Sequence, residues 1–320
     1  MMAKRFLPLW ITTSLLVVLF LIGASQYQGF GSLRVVTNLF SDNAFLLIIA
    51  LGMTLVIISG GIDLSVGSVI ALSGVLCSVL ITEYQLHPLL VFAIVLPLGT
   101  LFGALMGTLI HVYRLQPFIV TLAGMFLARG LATTISEQSV EIDHPFYDMV
   151  SDFGWSLPGN AWFDASSMIF ALILIFVVIV MHFTRFGTNI YALGGSEQSA
   201  QLMGVPVKKT TISIYAASSF LATLAGIIFT FYTFSGYALA GVGVELDAIA
   251  AVVIGGTLLS GGSGYVIGTV LGVLLMGIIQ TYITFDGTLS SWWTKIVIGL
   301  LLFFFIVLQK VLNRDKSTHS

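Results

Sequence analysis

The sequence predicts an all-α polytopic membrane protein, and three observations lead there. Hydrophobic residues fill 58% of the 320 positions and charged residues only 8%, with a mean hydropathy of +1.06. About a quarter of a typical soluble domain is charged, so this chain cannot furnish a water-exposed surface of ordinary size. Second, apolar runs of membrane-helix length follow one another along nearly the whole chain. Third, Ser59-Gly60-Gly61, five residues, then Gly67-Ser68-Val69 returns 201 positions later as Ser260-Gly261-Gly262, five residues, then Gly268-Thr269-Val270.

Crossing the hydrocarbon layer of roughly 30 Å takes about 20 residues of helix. Runs of that order fall at 8–25, 65–82, 89–112, 117–135, 166–183, 211–234, 265–285 and 294–312. Lys4-Arg5 before the first run looks like the start of a signal peptide. The run is longer than a signal's apolar core and no soluble domain follows it, so it reads as the first span. Two shorter apolar segments, 44–58 and 246–259, run into the Ser-Gly-Gly tracts and bring the expected count to ten. As helices these reach only about 21–23 Å. They are expected to be tilted, broken or partly re-entrant, with irregular backbone sheltered inside protein. Short, Gly-interrupted segments at corresponding places in two halves point to a transporter's translocation site. The plainer explanation is that glycine is common in membrane helices generally.

Lys and Arg in short loops favour the cytoplasm. With the N-terminus inside, the cytoplasmic segments hold Lys4, Arg5, Arg114, Arg185, Lys208, Lys209, Lys310, Arg314 and Lys316. The outside keeps Arg34 and Lys295, with Arg129 near the outer end of a span. The 136–165 connection carries six Asp and Glu and no Lys or Arg, which puts it outside. Both termini are therefore expected in the cytoplasm. Residues 1–313 read as one transmembrane domain with repeat-like tracts at 44–82 and 246–285. Residues 314–320 read as a polar tail without fixed structure. The formal net charge of −2, with no basic run, speaks against a nucleic-acid partner. The lone Cys77 excludes an internal disulfide and any Cys-based metal cluster.

Accumulating a solute requires an energy source. A phosphate-binding loop needs Gly-x-x-x-x-Gly-Lys-[Ser/Thr], and none of the six lysines follows a glycine. Ion-coupled transporters place ionisable residues inside spans; here the candidates are Asp63, Asp247, His111 and His182. Asp63, just after Gly60-Gly61, either accepts hydrogen bonds from a polar solute or cation, or caps the helix opening at Leu64-Ser65. The two histidines read as interfacial. In the 185–209 segment, Ser196 with Glu197 opens a helix of about two turns that Gly204 and Pro206 close. Ala200, Met203 and Gly204 are expected on one side of it. That helix suits either docking into a groove on another protein or lying on the membrane as a connector.

The chain resembles the permease subunits of ATP-binding-cassette sugar importers of the ribose/xylose/galactose type, from Asn43 through Leu312. The resemblance is carried by Ala50-Leu51-Gly52-Met53-Thr54 with Ser59-Gly60-Gly61-Ile62-Asp63-Leu64-Ser65-Val66-Gly67-Ser68, by Pro117-Phe118-Ile119-Val120-Thr121-Leu122, and by Ala251-Val252-Val253-Ile254-Gly255-Gly256-Thr257 with Leu259-Ser260-Gly261-Gly262. Tyr191-Ala192-Leu193-Gly194-Gly195 is similar to the family's ATPase-docking loop. That motif is a loose form of the Glu-Ala-Ala pattern of other importers, and beyond Gly194 and Gly195 only Glu197, Ala200 and Gly204 carry across. Residues 236–247 and 285–293 resemble most a permease of a galactofuranose importer.

The resemblance implies a cytoplasmic ATPase that holds ATP and Mg, a second, related permease chain, a periplasmic sugar-binding protein and the bacterial inner membrane. It implies no cofactor in this chain and no enzymatic activity of its own. The expected route for a monosaccharide lies beside the glycine breaks, where missing side chains let backbone approach a polyhydroxylated solute. Ser59, Gly60, Gly61, Asp63, Ser65, Glu245, Asp247, Ser260, Gly261 and Gly262 are its candidate contacts. Phe118 either stacks on sugar C–H faces or packs against lipid or core. An ion-coupled secondary transporter and a passive channel are the rival readings.

Overall fold

The computed structural model describes residues 7–290 and 292–317. In chain order the elements are α1 (Leu7–Gln26), α2 (Leu33–Asp42), α3 (Ala44–Ile58), α4 (Val66–Thr82), α5 (Pro88–Val112), α6 (Pro117–Ile135), β1 (Val140–Glu141), α7 (Pro145–Ser151), β2 (Gly154–Leu157), β3 (Ala161–Asp164), α8 (Ala165–Phe183), α9 (Arg185–Gly195), α10 (Glu197–Leu202), α11 (Val207–Thr233), β4 (Ser235–Gly236), α12 (Val244–Ile254), α13 (Val266–Asp286) and α14 (Trp292–Ser317). The protein is an all-α polytopic membrane protein. Among the described residues its short strands form a β2–β3 hairpin and a β1–β4 pair.

Each of the ten expected spans is a helix, but three of them fall short. Among the described residues seven helices are long and apolar enough to cross alone: α1, α5, α6, α8, α11, α13 and α14. α3 joins α2 at a bend of 57°, which makes an eighth, broken span. α2 itself was not expected, because Arg34, Asn38 and Asp42 interrupt its apolar run. Ser32 caps it by accepting a bond from the Val35 amide, and Asn43 marks the bend. α12 spans only 11 residues and stops at Gly255, earlier than the expected 259, because the chain turns at Gly256 with φ +93°. α14 runs on to Ser317, four residues into the stretch expected to be an unstructured tail; 318–320 lie outside the described residues, as do Lys4 and Arg5.

α11 forms the axis of the bundle and packs against α3, α4 and α5. Its closest neighbour is α5, which presents Gly99, Gly103 and Gly107 to it. A Cβ on Gly107 would sit 2.9 Å from Ile212 Cα, and one on Gly103 would overlap the Tyr215 carbonyl oxygen. Small residues four apart bring membrane helices into backbone contact, where dispersion rather than water exclusion holds them. Gly268 and Gly272 of α13 do the same against Gly255 and Ala251.

The bundle has two distinct ends. α9 and α10 lie at one, beside the α5–α6 turn with Arg114 and the start of α11 with Lys208 and Lys209. The acidic 136–165 connection lies at the other, where Thr82 Oγ1 donates to Glu141 O at 2.8 Å and Ser41 to Asp164 at 2.6 Å.

Candidate functional site: a broken helix above a basic cavity

Between α3 and α4 the chain loses its helix for seven residues. Gly60 adopts φ +87°, a conformation that other residues reach only with strain. Residues 61–65 then run without regular structure to Val66, where α4 begins. The depth of this break follows from one bond: Ser218 Oγ donates to Asp63 Oδ2 at 2.8 Å. Ser218 lies eleven residues into the 27-residue α11, so Asp63 sits about 17 Å from one end of a helix about 40 Å long. α4 therefore starts near mid-height, as the discontinuous helices of transporters do.

Asp63 is fully buried, and all its described partners are neutral donors. Its Oδ1 accepts from the Ser65 amide at 3.0 Å and from Ser65 Oγ at 2.6 Å. The N-cap position of α4 falls on Ser65, so Asp63 does not cap the helix itself: it organises the turn ahead of α4 and ties that turn to α11. Burying a carboxylate without a cation is costly unless hydrogen bonds replace its water, and three donors do so here. Around it, the side-chain oxygens of Tyr215, Ser219, Ser68 and Glu245 Oε2 are buried without a hydrogen-bond partner. Buried side-chain polar atoms usually find a hydrogen-bond partner. Glu245 lies against Gly67 in the first turn of α4. Nearby, Arg129 Nη1 donates to the carbonyls of Ala238 and Ala240, each at 2.6 Å.

Beneath the break opens a cavity of about 1140 Å³. Ser59, Gly60, Gly61 and Tyr215 form its inner wall. Its mouth carries Arg114, Lys208, Lys209 and His111 against a single carboxylate, Glu197. His111 thus lines a cavity rather than the lipid interface. His182 is exposed, its ring 3.2 Å from the Val178 carbonyl.

The second glycine tract is placed differently. Ser260 is exposed, and Gly261 and Gly262 pack backbone to backbone on Gly60, Gly194 and Gly195. The two tracts do meet, but at the end that carries α9 and α10, with no room between them for a solute. Asp247 lies at the far end of α12 from that tract. It is held by Lys295 Nζ at 2.5 and 2.7 Å, so the candidate contact is an ion pair. Phe118 is half exposed and follows Pro117 of the cavity rim without joining its lining.

The 185–209 segment folds as two helices where one was expected. Thr184 caps α9 and Ser196 caps α10, its Oγ accepting from the Ser199 amide at 3.2 Å. At the end of α10, Gly204 at φ +82° donates to Gln201 O, and the Val205 amide donates to Ala200 O at 3.0 Å. This glycine-closed helix end is the one the residue types predicted. Ala200 departs from expectation. It is fully buried, while Leu202 and Met203 are 90% and 71% exposed. The surface α10 offers is therefore Glu197, Leu202 and Met203, and Ala200 anchors it from below.

Sequence reasoning missed Tyr215, Ser218 and Ser219. The signal was a polar stripe at helical spacing inside an otherwise apolar span, continued at Thr223. Among the described residues no group of three or more His, Cys, Asp or Glu is placed to hold a metal ion.

The family described as branched-chain amino acid transport system / permease component matches residues 35–306. The chain belongs to that family. It is 56% identical to the inner membrane ABC transporter permease protein YjfF of Escherichia coli (strain K12), over 99% of this chain and 97% of that protein. It is 40% identical to the fructose import permease protein FruG of Bifidobacterium longum (strain NCC 2705), over 96% and 92%. To the ribose import permease protein RbsC of Escherichia coli (strain K12) it is 36% identical, over 90% and 89%. No solved structure matches the chain.

Proposed function

We propose that this chain is a permease subunit of an ATP-binding-cassette importer in the bacterial inner membrane, with both termini cytoplasmic, and that it forms part of the path for a monosaccharide. The observation that carries this is the single cavity joining α10 to the broken helix: Glu197, Gln198 and Gln201 of α10 share it with Gly61 and Tyr215. A motor protein seated on exposed Leu202 and Met203 would act directly on the polar interior. Import of ribose and fructose is named for two of the relatives, and a sugar suits a route whose unmet groups include the hydroxyls of Ser68, Tyr215 and Ser219 beside the Glu245 carboxylate. Galactofuranose rests on the resemblance of residues 236–247 and 285–293 alone. The companions in this reading are a cytoplasmic ATPase that binds ATP and Mg, a second and related permease chain, and a periplasmic sugar-binding protein.

On this reading solute leaves past Ser68, Asp63 and Ser65, then through the space below Tyr215. Unmet polar oxygens exchange one sugar hydroxyl for the next, and the lack of a deep, fully satisfied site keeps release fast. Against the ion-coupled alternative stands Asp247, whose carboxylate is paired with Lys295. The test is uptake of labelled galactofuranose, ribose and fructose by cells lacking this chain and by cells complemented with it or with Gly61→Val. A Cβ on Gly61 overlaps the Tyr215 hydroxyl and closes the inner wall of the cavity. The proposal expects uptake of one sugar to return with the native chain and not with the variant. Equal uptake with and without the chain contradicts it.

A further inference from the structure

α9 ends inside a notch made by both glycine tracts. The Gly262 amide donates to Ile58 O at 2.8 Å, which joins the end of α3 to the second tract. Gly194 fills the notch from the third side. A Cβ on it would overlap Ile58 O and stand 2.6 Å from the Gly262 nitrogen. One on Gly261 would stand 2.9 Å from Gly60 Cα and 3.1 Å from Gly194 O, and one on Gly262 3.0 Å from Gly195 Cα. Three chain segments, distant in sequence, thus touch through backbone alone. A fourth tie comes from the Tyr191 hydroxyl on α9, which donates to Gly264 O at 2.9 Å.

Side chains absorb small shifts by changing rotamer, whereas backbone in van der Waals contact cannot, and close-packed interiors transmit displacement rather than damp it. α9 is joined to α10 through Ser196 alone. A push on α10 therefore reaches the end of α3 and the second glycine tract, which follows α12, through backbone contacts at Gly194. We propose that Gly194, Gly261 and Gly262 are positioning residues for transport, forming the joint that passes movement of the docking helix to both helix breaks at once. The inference rests on the reading of α10 as the ATPase-docking element.

The structure supplies an internal control. A Cβ on Gly130, a helical glycine of α6 outside the joint and the docking loop, would meet nothing within 4 Å. The experiment compares Gly194→Ala, Gly130→Ala and Tyr191→Phe in the full complex purified from its native membrane. It measures ATPase co-purification, ATP hydrolysis, and sugar transported per ATP in proteoliposomes. The expected result for Gly194→Ala is an intact complex that still hydrolyses ATP but transports at least about tenfold less sugar per ATP, the scale of typical inter-site coupling. Gly130→Ala is expected to match the unsubstituted protein, and Tyr191→Phe to fall between. Normal stoichiometry in Gly194→Ala, or an equal loss in Gly130→Ala, overturns the joint. So does loss of the ATPase from the Gly194→Ala complex, which would make Gly194 part of the docking surface. If Gly194→Ala does not accumulate, normal stoichiometry in Tyr191→Phe overturns the proposal. The docking reading fails separately, if Leu202→Asp with Met203→Asp leaves the ATPase bound.

Discussion

Two alanine substitutions of helical glycines should move stability in opposite directions. At Gly103 an added Cβ stands 2.6 Å from both Cβ and Oγ of Ser219 and overlaps the Tyr215 carbonyl oxygen. Carbon atoms pack best at about 3.5–4.0 Å, so α5 and α11 must separate locally by about 1 Å. The obstruction is backbone, which has no alternative rotamer to adopt. Overpacking of this kind costs about 1–3 kcal/mol. At Gly130, on the exposed face of α6, an added Cβ meets nothing within 4 Å. There alanine gains helix propensity of up to about 1 kcal/mol over glycine. The two variants should therefore differ by about 1–4 kcal/mol in unfolding free energy, taking both terms together. Denaturant unfolding of the purified proteins in one detergent, followed by tryptophan fluorescence, reads that difference. Gly103→Ala as stable as Gly130→Ala would refute the packing of α5 on the axial helix.

Three further substitutions test the site. Ser218→Ala removes one hydrogen bond to a buried carboxylate and should cost about 1.5–3 kcal/mol, read by the same unfolding experiment; an unchanged midpoint would detach Asp63 from α11. Asp247→Asn breaks a partly exposed ion pair worth about 0–1 kcal/mol, and sugar uptake should persist; lost uptake would return Asp247 to the path. Gly204→Trp places a bulky residue at φ +82° and unseats the end of α10. ATPase co-purification should vanish while the chain still inserts, and an intact complex would move the docking surface elsewhere.

The fold was legible wherever one strong term dominated. Long apolar runs fixed α1, α5, α6, α8, α13 and the start of α14 to within a residue or two, because only a helix satisfies its own backbone in lipid. α2 and the β2–β3 hairpin escaped, since their amphipathic or mixed sequences form through tertiary contacts, such as Ser41 with Asp164. The end of α10 was readable from Ser196 and Gly204, whose chemistry is local. Which way Ala200 faces was not, because that depends on how α10 leans on α11. The repeated glycines marked a real meeting point, where the two tracts touch through backbone, a contact their spacing did not announce. Spacing alone does not say whether a missing side chain makes room for a ligand or for another chain segment. Asp63 stood out as a charge in an apolar run; Ser218 and Tyr215, neutral and on one face of a long apolar span, carried a weaker signal.

The central claim is a division of labour in which this chain supplies a passage and a separate ATPase drives it. Its most direct test is accumulation of whichever labelled monosaccharide the cells take up through this chain, in proteoliposomes holding the chain alone or the proteins that co-purify with it. The account predicts accumulation against a gradient only with the companions and ATP present, insensitive to collapse of proton and sodium gradients. Accumulation by the isolated chain, driven by an imposed ion gradient without nucleotide, would contradict it.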